Sequence, residues 1–301
     1  AKRSNLSLRL TTAAILVPTI LWVIATGGLL YLAVVVGIVL LGLREFYSLI
    51  ESKGADPLVT PGMVAGAALP VVAYVGNEYH ATLLMTAVLL GVMVAQLRKA
   101  QISEAMASIS GTFFGVFYVG WLLSHAIVLR NFHAAVSAHH GRASAEQLGI
   151  LPDTGIFLMI FCLAAVVLCD AGAYFAGRRF GRRKLAPRIS PGKTIEGSIG
   201  GLAAGTIGAL AAKGVFDLFW PALSAPLAWQ AALAMGFLVS VAAMTGDLVE
   251  SLLKRDAQTK DSGQMLPGMG GIMDRIDSPL LGIPVMYYLM IFYIFLEAAA
   301  P

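Results

Sequence analysis

The segment from Thr245 to Asp277, TGDLVESLLKRDAQTKDSGQMLPGMGGIMDRID, holds five Asp, one Glu, two Lys and two Arg between two strongly apolar stretches. Charges at a membrane boundary are costly unless they are paired, hydrated or bound to metal. So dense a mixture of acids and bases is the pattern of a site that handles metal ions and phosphates. Asp247, Glu250, Ser251 and Lys254 are spaced i, i+3, i+4 and i+7, which places them on one face of a helix. Lys254 and Arg255 at a helix end are also explained by snorkelling to lipid headgroups. Asp247 is not, because it lies deeper, behind the apolar run FLVSVAAM, and an acid there needs a metal or a basic partner.

Lys260 and Asp261 lead into a turn containing Pro267, Gly268, Gly270 and Gly271. Glycines let a backbone approach a ligand and present its N–H groups to anions. Asp274 and Asp277 follow at i and i+3, on the same side of a helical turn. A hard cation such as Mg2+ takes oxygen ligands, often one or two carboxylates together with substrate phosphates. A second block, CDAGAYFAGRRFGRRKLAPRISPGKTIEGSIGG, places Asp170 within an apolar helix, Tyr174 one turn later, and five basic residues between Arg178 and Lys184. Ser190, Lys193 and Thr194 then precede Glu196 and a glycine-rich helix start, as in a phosphate-binding turn that feeds a helix N-terminus. The Gly192-Lys193-Thr194 triplet is not a nucleotide P-loop, since Pro187 stands where that motif needs its first glycine and no strand precedes it. Gly197, Gly201 and Gly205 form a small-residue ridge for close helix packing, and a homodimer through it stays open.

The elements that must position these residues are membrane helices. Of 301 residues, 58% are hydrophobic and 13% charged, and the mean hydropathy is +0.79. A soluble domain carries about 25% charged residues. The fold class is therefore all-α, a polytopic integral membrane protein. Apolar windows predict about nine transmembrane helices, near 10–28, 29–49, 62–76, 81–97, 108–129, 155–176, 197–216, 228–250 and 279–297. The start, AKRSNLSLRL plus an apolar run, is read as a retained first span rather than a cleaved signal. With the N-terminus inside and the C-terminus outside, 18 of the 21 Lys and Arg face the cytoplasm, and only Arg130, Arg142 and Lys213 do not. The net charge of +4 thus follows topology and indicates no nucleic-acid partner. Both polar blocks then lie on the cytoplasmic side of a multi-pass inner membrane protein. The chain divides into an N-terminal helical scaffold, 1–154, with room for a lipid groove, and a catalytic region, 155–301. Cys162 and Cys169, seven positions apart on one helix, are packing residues. The outer connection 130–154, with His133, His139 and His140, reads as a solvated loop.

The two blocks resemble the phosphatidate cytidylyltransferase (CDP-diacylglycerol synthase) family. The family signature is met by Ser251, Leu253, Lys254, Arg255, Lys260, Asp261, the PGMGG turn, Asp274, Arg275, Ile276 and Asp277, and the 169–201 block matches as well. The resemblance is specific from about residue 165 to 278. It implies transfer of a cytidylyl group from CTP to phosphatidic acid at the lipid bilayer, giving CDP-diacylglycerol and pyrophosphate. It implies Mg2+, with one or two ions and a further monovalent cation left open. Asp247, Asp274 and Asp277, then Asp261 and Asp170, would hold or position metal. Lys193, Lys254, Arg255, Lys260 and Arg275 would hold phosphates, with Ser190, Thr194, Ser251 and Tyr174 contacting substrate. Two positions depart from the family: Met269 replaces a histidine, and Gly192 replaces a lysine. Methionine neither transfers protons nor ligates hard cations, so a paralogous cytidylyltransferase for another lipid phosphate stays open. So do a membrane transporter and an inactive scaffold.

Overall fold

The computed structural model describes residues 2–76, 78–99, 102–263, 265 and 270–298. Helix α1 (Lys2–Thr26), α2 (Gly28–Glu51), α3 (Val59–Val75) and α4 (Glu78–Gln96) come first. A long helix follows in three parts, α5 (Ala105–Gly115), a π-helical turn (Val116–Trp121) and α6 (Leu122–Arg130). The short α7 (Phe132–His140) and α8 (Arg142–Gln147) precede α9 (Thr154–Phe180). A hairpin of β1 (Lys184–Ala186) and β2 (Ser190–Thr194) leads into α10 (Ile195–Phe219), and α11 (Pro221–Ser224), α12 (Trp229–Asp256) and α13 (Met273–Ala298) complete the chain.

The architecture is all-α and polytopic, with one small antiparallel hairpin that the apolar periodicity did not reveal. A helix stands at each of the nine expected spans. Among the described residues seven helices are long and apolar enough to cross a membrane: Gly28–Glu51, Tyr79–Gln96, Ala105–Arg130, Thr154–Phe180, Ile195–Phe219, Trp229–Asp256 and Met273–Leu296. The apolar stretches Ala14–Thr26 and Val59–Val75 are shorter. The second is cut off at Gly76, a left-handed C-cap with φ 77° that a side-chain-bearing residue would strain. The 130–154 connection also differs from a solvated loop. Phe132 and Val136 are fully buried there, and the buried Arg130 lies 3.6 Å from Asp153.

The chain forms two compact units, one of residues 1–127 and 253–276, the other of 128–252 and 277–301. In the first unit, Ala65, Leu69, Val88, Val92 and Val116 make a core cluster. Tyr47 is buried there and donates from Oη to the Thr112 carbonyl at 3.0 Å. It fits because Gly62 and Gly115 have no side chain: an added Cβ would stand 2.1 Å from its Oη or 2.6 Å from its ring.

In the second unit, α9 and α10 approach closely along small residues. A Cβ at Gly200 would meet Ala176 at 2.2 Å, and one at Gly201 would meet both Ala173 and the Cys169 carbonyl at 2.9 Å. At Gly205 it would stand 2.3 Å from Ser240 Oγ and 2.6 Å from the Ala165 carbonyl. The ridge Gly197, Gly201 and Gly205 is thus used within the chain, against α9 and α12, where close backbone approach maximises van der Waals contact without help from water. Cys162 and Cys169 are free and buried in this packing. Overpacking such a contact costs about 1–3 kcal/mol. Gly205→Val is therefore expected to lower the thermal unfolding midpoint in detergent, whereas Gly192→Ala, which points into open space, leaves it unchanged.

Candidate active site

The second unit carries a cavity of about 460 Å3, within the usual range for small-molecule sites. Its wall comes from three places. The end of α9 supplies Asp170, Tyr174, Gly177 and Arg178, the hairpin and the start of α10 supply Ser190, Gly192, Lys193, Thr194 and Ser198, and α12 supplies Met244, Asp247 and Leu248. Six residues expected from sequence, Asp170, Tyr174, Ser190, Lys193, Thr194 and Asp247, therefore line one space.

Local chemistry explains the hairpin's position. Thr194 is the N-cap of α10, its Oγ1 accepting from the Gly197 N–H at 3.1 Å, which satisfies a donor the helix start leaves open. The Glu196 carboxylate, in the first turn, accepts from the backbone N–H groups of Arg182 at 3.0 Å and Arg183 at 3.2 Å. The Ile195 N–H donates to the Arg183 carbonyl at 2.9 Å. The strands pair antiparallel, Lys184 with Thr194 and Ala186 with Ser190. Together these bonds fold the segment back beside α9, and Lys193 Nζ reaches Asp247 Oδ2 at 2.8 Å. Thr194, expected to contact phosphate, lines the cavity and also caps the helix with its side-chain oxygen. At Gly192, where the family has lysine, an added Cβ would meet nothing within 4 Å, so the cavity wall stays open there.

Around Asp247 the charges are mostly negative. Asp277 lies within electrostatic reach of Asp247, Glu250 and Asp170. Asp170 Oδ1 accepts from Ser278 Oγ at 3.3 Å, and the Ser278 N–H donates to Asp277 Oδ1 at 2.7 Å. Gly246 lets α12 pack onto this turn, for a Cβ there would stand 2.3 Å from the Asp277 carbonyl. Glu250 is fully buried. Ser251 Oγ stands 3.5 Å from Asp247 Oδ1, at the limit of a hydrogen bond. Among the described residues, no three His, Cys, Asp or Glu side chains are placed to enclose one ion. This donor set still suits Mg2+, which keeps several waters and takes one or two carboxylates plus substrate phosphates.

The first unit holds a second cluster. Lys254 Nζ donates to Asp274 Oδ1 at 2.7 Å, and Asp274 Oδ2 accepts from the N–H groups of Gly271 at 2.9 Å and Ser262 at 3.3 Å. Both oxygens of Asp274 are thus engaged by protein. Expected as a metal ligand, it fixes Lys254 and the turn before α13 here. Arg255, Lys260, Asp261 and Arg275 are exposed. Pro267, Gly268 and Met269 lie outside the described residues.

Sequence reasoning missed Glu45 of α2. It is buried, and its carboxylate accepts from Ile272 N–H at 3.0 Å, Met273 N–H at 2.9 Å and Ser262 Oγ at 3.2 Å. Gly263 and Gly271 pack on it so tightly that a Cβ at either would stand 2.4 Å from a carboxylate oxygen. Glu45 therefore caps α13 from more than two hundred positions away, satisfying N–H groups that a helix start leaves open and favouring its positive dipole end. The available signal was an acid beside Arg44 near the end of an apolar span. Leaving such buried donors unsatisfied costs about 1–3 kcal/mol. Glu45→Ala is expected to accelerate hydrogen exchange at the Ile272 and Met273 amides and to lower stability, with Glu45→Gln retaining part of both.

The sequence profile described as the cytidylyltransferase family matches residues 7–293. A phosphatidate cytidylyltransferase of Synechocystis is 32% identical over 295 residues, covering 94% of this chain and 96% of that protein. Phosphatidate cytidylyltransferase 4, chloroplastic, of Arabidopsis thaliana is 34% identical over 85% of this chain and 66% of its own. A phosphatidate cytidylyltransferase of Brucella suis is 30% identical over 94% of this chain and 93% of its own.

Proposed function

This chain belongs to the cytidylyltransferase family, a membrane nucleotidyltransferase, and on that premise we propose that it transfers the cytidylyl group of CTP to phosphatidic acid. A phosphate oxygen of the lipid attacks the α-phosphorus of CTP. A new P–O bond forms, the bond to the β-phosphate breaks, and pyrophosphate leaves as CDP-diacylglycerol is made. The site faces the cytoplasm, where the positive-inside asymmetry puts both polar blocks.

The observation that carries this reading is the Lys193–Asp247 pair at 2.8 Å in a cavity also lined by Asp170. Two anions must meet, so catalysis is mostly positioning and charge neutralisation. Lys193 and Arg178 are cations on the cavity wall for a phosphate oxygen. Ser190 and Tyr174 offer hydroxyls on the same wall, and Ser251 orients Asp247. In the first unit, Arg255, Lys260 and Arg275 are exposed and Asp274 holds Lys254 at 2.7 Å. Asp247 and Asp277, with Asp170, would hold Mg2+, which when bound neutralises phosphate charge and polarises the P–O bond. A lipid phosphate is already anionic at neutral pH, so attack does not require a strong general base. That removes the chemical demand for a histidine at position 269.

Purified protein given CTP, phosphatidate and Mg2+ should yield the liponucleotide and pyrophosphate, and chelation of divalent cations should stop both. Asp277→Ala should abolish turnover. Lys193→Ala should lower kcat/KM by about a hundredfold, the scale set by loss of one preorganised donor to a developing charge. Near-normal turnover in Asp277→Ala, or no liponucleotide from the unaltered protein, removes this reading.

A further inference from the structure

The basic run that follows Asp170 is larger than the cavity needs. Arg178, Arg179, Arg182, Arg183, Lys184 and Arg188 place six cations within eleven positions, all exposed. From Ala171 to Phe216 the sequence holds one acid, Glu196, and its carboxylate accepts from backbone N–H groups at Arg182 and Arg183. Apolar rings and chains are interleaved with the cations. Tyr174, Phe175 and Phe180 are 59%, 66% and 61% exposed, and Leu185 also faces outward. The Arg179 guanidinium lies over the Phe180 ring at 5.6 Å, and Arg178 Nη1 donates to Tyr174 Oη at 3.3 Å. The patch begins at the end of α9, where a candidate membrane span stops. It is continuous with the cavity, since Arg178 and Leu185 form part of the same wall as Lys193.

Cations mixed with exposed aromatic and aliphatic groups at the end of a span match the interface of a bilayer, apolar on one side and anionic on the other. A topology determinant needs only positive charge. It does not need a folded hairpin tied down by Glu196 and opening onto a cavity. We propose that the basic segment Arg178–Arg188, from the end of α9 into the hairpin, is the docking surface for the phosphate monoester headgroup of the lipid substrate, which it gathers from the membrane plane and passes along Arg178 and Leu185 towards Lys193. A monoester carries up to two negative charges, so this surface favours it over zwitterionic lipid. The inference rests on the proposed function for the identity of the lipid, and it adds that lipid and nucleotide are gathered by different groups.

The test uses the full chain in detergent micelles of fixed composition, with Arg182, Arg183 and Arg188 all changed to Gln. These side chains lie outside the cavity wall, and the backbone bonds from Glu196 do not depend on them. Each basic residue near an anionic lipid surface is worth about a factor of five in binding. The triple variant should therefore raise the KM for phosphatidate, in surface mole fraction, at least about tenfold, while the KM for CTP and kcat at saturating lipid stay put. The matching Lys substitutions should restore the wild-type value. A second arm measures fluorescent phosphatidate binding by anisotropy without CTP, with fluorescent phosphatidylcholine as the comparison. Binding of phosphatidate should weaken in the Gln variant and fall with added salt. Unchanged lipid KM and unchanged binding overturn the proposal, as does a rise in the KM for CTP alone. Because the binding arm needs no turnover, lipid docking without liponucleotide synthesis would count against the assigned reaction and leave the docking surface standing.

Discussion

Everything at this site follows from the difficulty of keeping carboxylates near apolar spans. Asp170, Asp247, Glu250 and Asp277 lie on three helices of one unit, within electrostatic reach of Asp277, and each would lower its energy by dispersing. They are held together by geometry that is not itself electrostatic. Gly246 admits the Asp277 turn to the surface of α12, and the small residues of α9 and α10 bring Asp170 close. Lys193, delivered by a hairpin rather than a span, offsets one of these charges at 2.8 Å. The packing of small residues thus maintains an excess of negative charge that cations and their phosphates can relieve. A transporter would also gather acids within helices, but an ion path does not call for a lysine brought in by a capped hairpin beside a helix start.

Two acids look alike in the sequence and behave differently in the structure. Asp274 and Asp277 are one turn apart on α13. Asp274 is engaged on both oxygens by Lys254, Gly271 and Ser262. Asp277 has one bond from the following N–H and otherwise faces other acids. The first is a fixed point that holds a lysine and a turn. The second has the electrostatic surroundings of a cation ligand. Glu45 anchors the backbone at the start of α13. Without it, the register of the whole acidic turn would depend on the bonds made by Asp274 alone.

Much of this was legible in the residues. Hydropathy located a helix at each expected span, because twenty apolar positions in a row have few other outcomes, and helical spacing grouped Asp247 with Ser251. The grouping of Asp170, Tyr174, Ser190, Lys193 and Asp247 around one cavity follows the sequence blocks that resemblance had joined. The hairpin was hidden because its strands are three and five residues long, too short for alternation to register, and because LAPRISPGKT reads equally well as a loop. Glu45 was hidden for a different reason. Its partners are backbone N–H groups at Ile272 and Met273, which have no side-chain signature, and the contact spans most of the chain. The bonds that Thr194 and Asp274 make to the backbone were not legible, because a side chain that caps a helix and one that binds phosphate or metal are the same residue type at the same place.

That last ambiguity has a physical root. A helix N-terminus attracts anions whether they come from the chain or from a ligand. At α10 and α13 the chain provides its own oxygens: Thr194 for one helix, Glu45 with Asp274 for the other. These ends are therefore occupied before any substrate arrives, and the attraction for phosphate must come from elsewhere. In the proposed reaction it would come, in the second unit, from side-chain cations, Lys193 on the cavity wall and the arginines of the hairpin outside it. This separates structure from recognition. The helix starts are locked by neutral or acidic groups of the protein, which leaves side-chain cations as the groups that the proposed reaction would use for phosphate.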